Sequence, residues 1–358
     1  MIEQKKIYIL LPGFNNDSPV KGSAALANEL SKKYKVTIVS LKSINSSIKL
    51  RNSNNLKLID LGKLSWLSKF FYYKKLITEN YKTNSNISIS FCFSADILNS
   101  FCTHHTNTFS SVRANLYENY KHSYGVLGFL LAKINFLRLK KITNIFAMTE
   151  SMAKQIKNEI GLKSHIVGNF LDEDNMEPHR RKNVNNGSYK FVFTGTLSSR
   201  KKVEVLINAI DELHKNGHNI SCDILGDGPF KKLLINKISD LHLSNIITMH
   251  GNILNPFNIV SGADVFVLPS LSEGLSRSSM EALYLGVPCI LRDIDGNSEL
   301  IDENINGNLF TDESEVADLM IRCAQRSRQD LLFKNILLKD DFRQSTGSAK
   351  VERLIGIK

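Results

Sequence analysis

The stretch Asp264–Glu281, DVFVLPSLSEGLSRSSME, concentrates residues whose types and spacing could do chemistry. Its apolar run ends at Pro269, a short turn carries Glu273 and Gly274, and Ser276 is placed to cap a helix running through Glu281, Ala282 and Leu283. In an open α/β sheet such a turn lies at the carboxyl edge of a strand, where ligands bind. The amides of Ser276, Arg277 and Ser278, aligned with the helix dipole, make a site for phosphate oxygens. Glu273 precedes that site and Glu281 stands about a turn and a half into the helix, so two carboxylates flank it. Ionised carboxylates only accept hydrogen bonds, and a pair around a phosphate site suits a ligand with hydroxyls on either side of a diphosphate. A nucleotide sugar has that chemistry. Two glutamates at this spacing are otherwise a common solvated face, so their weight depends on the elements around them.

Those elements alternate from end to end. Short β-branched runs (IYILL, KVTIVS, LKLIDL, NISISF, NIFAMT and SHIVG, then KFVFTG, ISCDILG, NIITMHG, DVFVLP and PCILR) are separated by stretches of helical period, which predicts parallel sheets with helical crossovers. Strands without in/out alternation fit sheets covered on both faces. The pattern pauses at 172–188 (DEDNMEPHRRKNVNNGS), a polar stretch without apolar period that reads as an interdomain connection. Each half then begins afresh with a strand, a turn containing Gly, and a helix. At 358 residues with 42 % hydrophobic and 23 % charged side chains, the chain is too long for one small domain and too apolar for general disorder.

The charge is uneven. Residues 1–170 carry 24 basic and 9 acidic side chains, a net +15, against −4 for residues 171–358. The five cysteines are odd in number and scattered, three of them in apolar runs, and read as reduced core thiols and not as a disulfide frame or zinc site. The first apolar run is too short for a signal peptide, and the apolar stretch 124–137 falls short of the ~20 residues needed to cross a bilayer and is broken by Lys133. A cytoplasmic, non-spanning protein is expected.

Glu273 and Glu281, with seven residues between them, followed by Ala282 and Leu285-Gly286-Val287-Pro288, resemble the E-x7-E motif and A-x-G-x-P continuation of retaining glycosyltransferases of family 4. FVFTGTLSSRKKVEVLINA (191–209), ILGDGP (224–229), MHGNI (249–253) and DIDGNSELI (293–301) match the family's order and spacing, so the resemblance covers residues 189–310. Over residues 1–170 it is weaker and rests on segments 19–40, 110–116 and 149–156, which look most like transferases that build bacterial surface polysaccharides, such as O-antigen.

The resemblance implies an α/β protein of the GT-B fold, with two Rossmann-like domains whose parallel sheets face each other across a cleft. Residues 1–170 would form the acceptor-binding domain and residues 171–340 the donor-binding domain, with a helix over 341–358 packing back on the first. Glu281 would hold the ribose hydroxyls, Glu273 the hydroxyls of the transferred sugar, and the amides of Ser276 to Ser278, following Gly274, the distal phosphate. Lys201 would neutralise the departing diphosphate, a task for a cation without proton transfer. Asn252 would present main chain to the base, most simply uracil, and Gly22 and Ser23 would let backbone approach the phosphates. Two places depart from the family: Gly195-Thr196 stands where Gly-Arg is usual, with Arg200 nearby to compensate, and Lys21-Gly22 stands where Gly-Gly is usual. For the residue facing the reacting sugar from the first domain, His104 and His105 are candidates by type and Arg113 by position after a strand. Gly226, in GDGP, reads equally as a tight turn and as a ligand contact.

No metal and no cofactor beyond the nucleotide-sugar substrate is expected, because the helix end and Lys201 can carry the diphosphate charge. Two stretches, LSWLSKFFYYKK (64–75) and YENYKHSYGVLGFLLAKINFLRLKK (117–141), mix aromatic, apolar and basic residues. They read either as amphipathic helices packed on a sheet or as interfacial helices resting on anionic lipid, and the basic charge of the same half favours the second. A lipid-linked glycan acceptor and a peripheral place on the inner face of the cytoplasmic membrane follow as expectations. The alternative is a GT-B protein that has lost catalysis and binds a membrane or polyanion. Nucleic acid is not an expected partner, for want of a recognition motif of known kind, and neither first turn reads G-x-G-x-x-G as a dinucleotide-dependent oxidoreductase requires.

Overall fold

The structure, a computed structural model, describes residues 6–78, 86–103, 106–142, 144–181, 187–329 and 335–356. The chain divides into two compact units, one made of Met1–Asp172 with Asp341–Lys358 and the other of Glu173–Asp340. His104 and His105 lie outside the described residues.

The first unit holds strands β1 (Lys6–Leu11), β2 (Lys35–Ser40), β3 (Leu56–Asp60), β4 (Ile87–Phe91), β5 (Asn107–Val112), β6 (Asn144–Ala147) and β7 (His165–Ile166). They form one parallel sheet in the order β3-β2-β1-β4-β5-β6-β7. The second unit holds β8 (Tyr189–Thr194), β9 (Ile220–Leu225), β10 (Ile247–Gly251), β11 (Val265–Leu268), β12 (Cys289–Arg292) and β13 (Gly307–Phe310), also parallel, in the order β10-β9-β8-β11-β12-β13. Each unit is therefore Rossmann-like. The strand order reverses between β1 and β4 in one and between β8 and β11 in the other, and such switch points open a crevice at the strands' carboxyl ends.

β5 (NTFSSV) and β13 (GNLF) lack an unbroken apolar run and are held as strands by pairing with their neighbours. β4 (ISISF) also differs from expectation: it does alternate, yet both faces are buried. Its serines face polar side chains supplied from elsewhere, with Ser90 and Ser110 each donating to Asp96 Oδ1 at 2.6 Å and Ser88 to Asn99 Oδ1 at 2.6 Å. Burial pushes the Asp96 carboxyl up to about 7, against the pull of the two hydroxyls.

Four cysteines are buried; Cys92 is only half-buried and sits past the end of β4, not within it, at the start of the helix Phe93–Asn99. The polar stretch after Asp172 is not a bare connection either. It forms a short helix, Glu173–Met176, and a 3-10 turn, Glu177–His179, docked on the second unit: Tyr284 Oη donates to Glu177 at 2.6 Å, and Arg181 pairs with the fully buried Asp264 at 3.1 Å. The helix Gln344–Leu354 belongs to the first unit. Val351 and Ile355 join the core formed by the helix Ser18–Leu30 and β1, and Gln344 Nε2 donates to the Ala25 carbonyl at 3.0 Å.

Candidate functional site

In the second unit the expected residues gather where the strand order reverses. β8 leads through Gly195 and the exposed Thr196 to a 3-10 turn, Ser199–Lys201; β11 leads through Pro269 to the loop carrying Glu273. The two loops are joined by main chain, Leu271 N donating to the Arg200 carbonyl at 2.9 Å, and the Arg200 guanidinium donates to the Ser272 carbonyl. Lys201 Nζ stands 2.6 Å and Arg200 Nη1 3.2 Å from the same oxygen, Glu273 Oε1. Burial alone would raise the Glu273 pKa, but Lys201 and then Arg200 outweigh it and hold the carboxyl below the usual range. Lys201 is a buried cation and not a solvated charge at a helix start. Arg200, four residues beyond Thr196, brings a guanidinium to this cluster.

The next element is the helix Arg277–Tyr284, capped by Ser276, whose hydroxyl accepts from Ser279 N at 3.3 Å. That leaves the amides of Arg277 and Ser278 without intrahelical partners by the geometry of a first turn. Four residues on, Glu281 forms an ion pair with Arg277, Oε1 standing 2.9 Å from Nη2, with side-chain exposures of 8 % for Arg277 and 14 % for Glu281. The Glu273–Gly274 loop is backed by Gly296, where a side chain would overlap the Gly274 carbonyl oxygen. The sequence motifs do not single out Gly296 for this contact, because the approach joins loops 22 residues apart.

Gly226, at φ +147°, packs under the loop after β8 in the same way, its missing Cβ leaving room for the Gly195 carbonyl oxygen. The GDGP turn thus shapes the loop after β8, with Asp227 accepting from Gly228 N and Lys231 Nζ. Asn252 is exposed just past β10.

In the first unit, Gly22 and Ser23 lie inside the helix Ser18–Leu30, and Ser23 Oγ donates to the Val20 carbonyl at 2.9 Å. Gly22 is a contact surface: a Cβ there would stand 2.7 Å from Asn169 Oδ1 and 3.1 Å from Arg113 Nη2. Arg113 follows β5, donates to Asn169 Oδ1 and lies over the Phe91 ring at 5.5 Å. Asn169 belongs to no motif singled out in the sequence.

The same unit bears a broad apolar face. The helix Leu127–Leu139 buries Gly128, Ala132, Asn135, Phe136 and Leu139 and exposes the stripe Leu127, Leu130, Ile134 and Leu137, with Val126 before it 96 % exposed. The helix Trp66–Thr78 buries only Tyr73 and Ile77 and exposes Trp66, Leu67, Phe71 and Tyr72. Phe101 joins the two, its ring 5.8 Å from that of Phe70 and 5.6 Å below the Arg138 guanidinium. Lys133, Lys140 and Lys141 edge this face, and no described helix is long and apolar enough to cross a membrane.

Residues 174–325 match the family described as glycosyl transferases group 1. With this group 1 match go relatives of similar extent. An uncharacterized glycosyltransferase of Methanocaldococcus jannaschii is 30 % identical over 208 residues, 54 % of this chain and 50 % of that protein. The UDP-Gal:alpha-D-GlcNAc-diphosphoundecaprenol alpha-1,3-galactosyltransferase of Escherichia coli is 27 % identical over 189 residues, 49 % of this chain and 48 % of that protein. The chain thus spans about half the length of these curated relatives. Among solved structures, Anabaena HepE in complex with UDP shares the fold with a TM-score of 0.74 at 13 % identity, over 98 % of this chain and 99 % of that one. The two Rossmann-like units are those of a GT-B fold.

Proposed function

We propose that this protein is a retaining glycosyltransferase that moves a sugar from a nucleotide-sugar donor, linked to UDP, onto a hydroxyl of a lipid-linked glycan during bacterial surface polysaccharide biosynthesis. The observation that carries the proposal is the cluster of Lys201, Arg200 and Glu273 at the second switch point, beside the free end of the Arg277–Tyr284 helix. Lys201 and Arg200 offset the charge that grows on the diphosphate as the bond from the sugar's anomeric carbon to phosphate oxygen breaks. The acceptor oxygen bonds to that carbon on the same face, and its proton passes to the departing phosphate oxygen, so no enzymic nucleophile and no metal ion is needed. Before the donor arrives, Glu273 holds both cations in place; with it bound, Glu273 accepts from the sugar's hydroxyls, while the Arg277 and Ser278 amides take phosphate oxygens and Glu281 the ribose diol.

The acceptor class draws on the apolar face described above. An aliphatic stripe with adjoining aromatics, edged by lysines, suits the boundary of an anionic bilayer and supports the reading of a protein at the inner face of the cytoplasmic membrane, where a lipid-linked glycan is presented. The name of the Escherichia coli relative, which includes a diphosphoundecaprenol acceptor, supports the same class.

A thermal-shift series with UDP, GDP and their sugars, without added metal, tests the donor site. Saturation at 100 times the dissociation constant stabilises by about 2.7 kcal/mol. Stabilisation by UDP and its sugars, lost in Glu281→Ala, is the expected result. The second reading, a binding module without catalysis, is favoured by Thr196 in place of the family arginine. A folded protein that no nucleotide stabilises would establish it.

A further inference from the structure

Arg277 enters the donor site through its main-chain amide, but its side chain is placed for a separate task. Nine-tenths buried, it forms an ion pair with Glu281 across one helical turn, Nη2 standing 2.9 Å from Oε1. Among the described residues nothing pairs with its Nε or Nη1, although both are buried. A buried guanidinium kept only for stability is ordinarily saturated, because each unpaired donor costs free energy. Here one nitrogen is committed to one carboxylate oxygen and two are left open, at the mouth of the same helix whose amides face the phosphates.

We propose that Arg277 is a positioning residue that fixes the Glu281 carboxylate for recognition of the ribose diol, and so sets the preference for a ribonucleotide over a deoxyribonucleotide. The proposal rests on the donor site proposed above. A Glu side chain alone on a helix samples several rotamers. With Oε1 tied to a planar guanidinium that is itself locked by burial, Oε2 has a fixed direction in which to accept from a hydroxyl. Removal of the clamp leaves the carboxylate present but unaimed.

The test is calorimetric titration of UDP and 2′-deoxy-UDP into the unaltered protein, Arg277→Gln, Arg277→Lys, Glu281→Gln and the Arg277→Gln/Glu281→Gln pair, with thermal melts to establish folding. The unaltered protein should favour UDP by about tenfold or more, as for a hydrogen bond to a charged group. Arg277→Gln should bring that ratio close to one while changing 2′-deoxy-UDP affinity little, Arg277→Lys should restore part of it, and the pair should lose no more than Glu281→Gln alone. A full ratio in folded Arg277→Gln or Arg277→Lys, with Glu281→Gln still losing it, overturns the clamp and leaves the donor site standing. Absence of UDP binding to the unaltered protein overturns the donor site itself, and the clamp with it.

Discussion

Lys201 Nζ lies 2.6 Å from Glu273 Oε1, and both side chains are only 10 % exposed, although the two residues come from different strand-to-helix loops. A lysine so held is available to a diphosphate without any rearrangement of the loops. Lys201→Ala should therefore cut turnover on the matching sugar nucleotide about 100-fold or more while weakening UDP binding by less than about tenfold. Steady-state kinetics beside calorimetry would check this, and equal turnover at saturating donor would remove Lys201 from the chemistry.

Charge neutralisation by Lys201, Arg200 and a helix end predicts that activity survives chelation. Excess EDTA should change turnover by no more than about twofold, whereas a reaction that used a Lewis acid would lose several kcal/mol of stabilisation. A large loss, restored by a divalent cation, would put a metal ion in the site.

The exposed stripe on the helix Leu127–Leu139 predicts attachment to anionic lipid. Cosedimentation with phosphatidylglycerol vesicles should be strong at low salt, and Leu130→Glu with Leu137→Glu should weaken it on the order of 100-fold, since each leucine contributes about 1.5–3 kcal/mol on burial. Both positions are exposed, so the melting temperature should hold; unchanged sedimentation would sink the membrane assignment.

Asp96 predicts a pH effect on the first unit. Its carboxyl is raised from 3.8 to about 7, so between those values the folded state keeps a proton that the unfolded chain has released. The stability contributed by the protonated group is therefore lost as pH rises across that window. Asp96→Asn, which keeps an oxygen to accept from Ser90 and Ser110, should narrow the fall in melting temperature between pH 5 and pH 8 by on the order of a few degrees. The same fall in both proteins would show that Asp96 titrates normally.

The second unit's site was legible because its signals are local. A strand, a turn and a capped helix follow one another within Asp264–Glu281, and the cap at Ser276 stands where its residue type put it. The Arg277–Glu281 pair was within reach of the same logic, as oppositely charged residues four apart on a helix. Gly296 was not, because the approach to Gly274 is made between loops and only the folded sheet brings them together. Gly22 and Ser23 lie inside a helix for a local reason: Asp17 at the cap and Pro19 in the first turn start it before them. The serines of β4 look like a solvent face until Asp96 and Asn99, from the helix that follows, seal them.

The helix Gln344–Leu354 has a consequence for how the protein is made. The chain leaves the first unit at Asp172 and returns to it only at Asp341, so the residues that complete its core, Val351 and Ile355, leave the ribosome after the whole of the second unit. Until then the nascent first unit carries an uncovered groove beside Ala25, through the whole time that the second unit is being synthesised. Maturation of the two units is thereby ordered, with the second able to close first and the first waiting for the segment that follows Asp340.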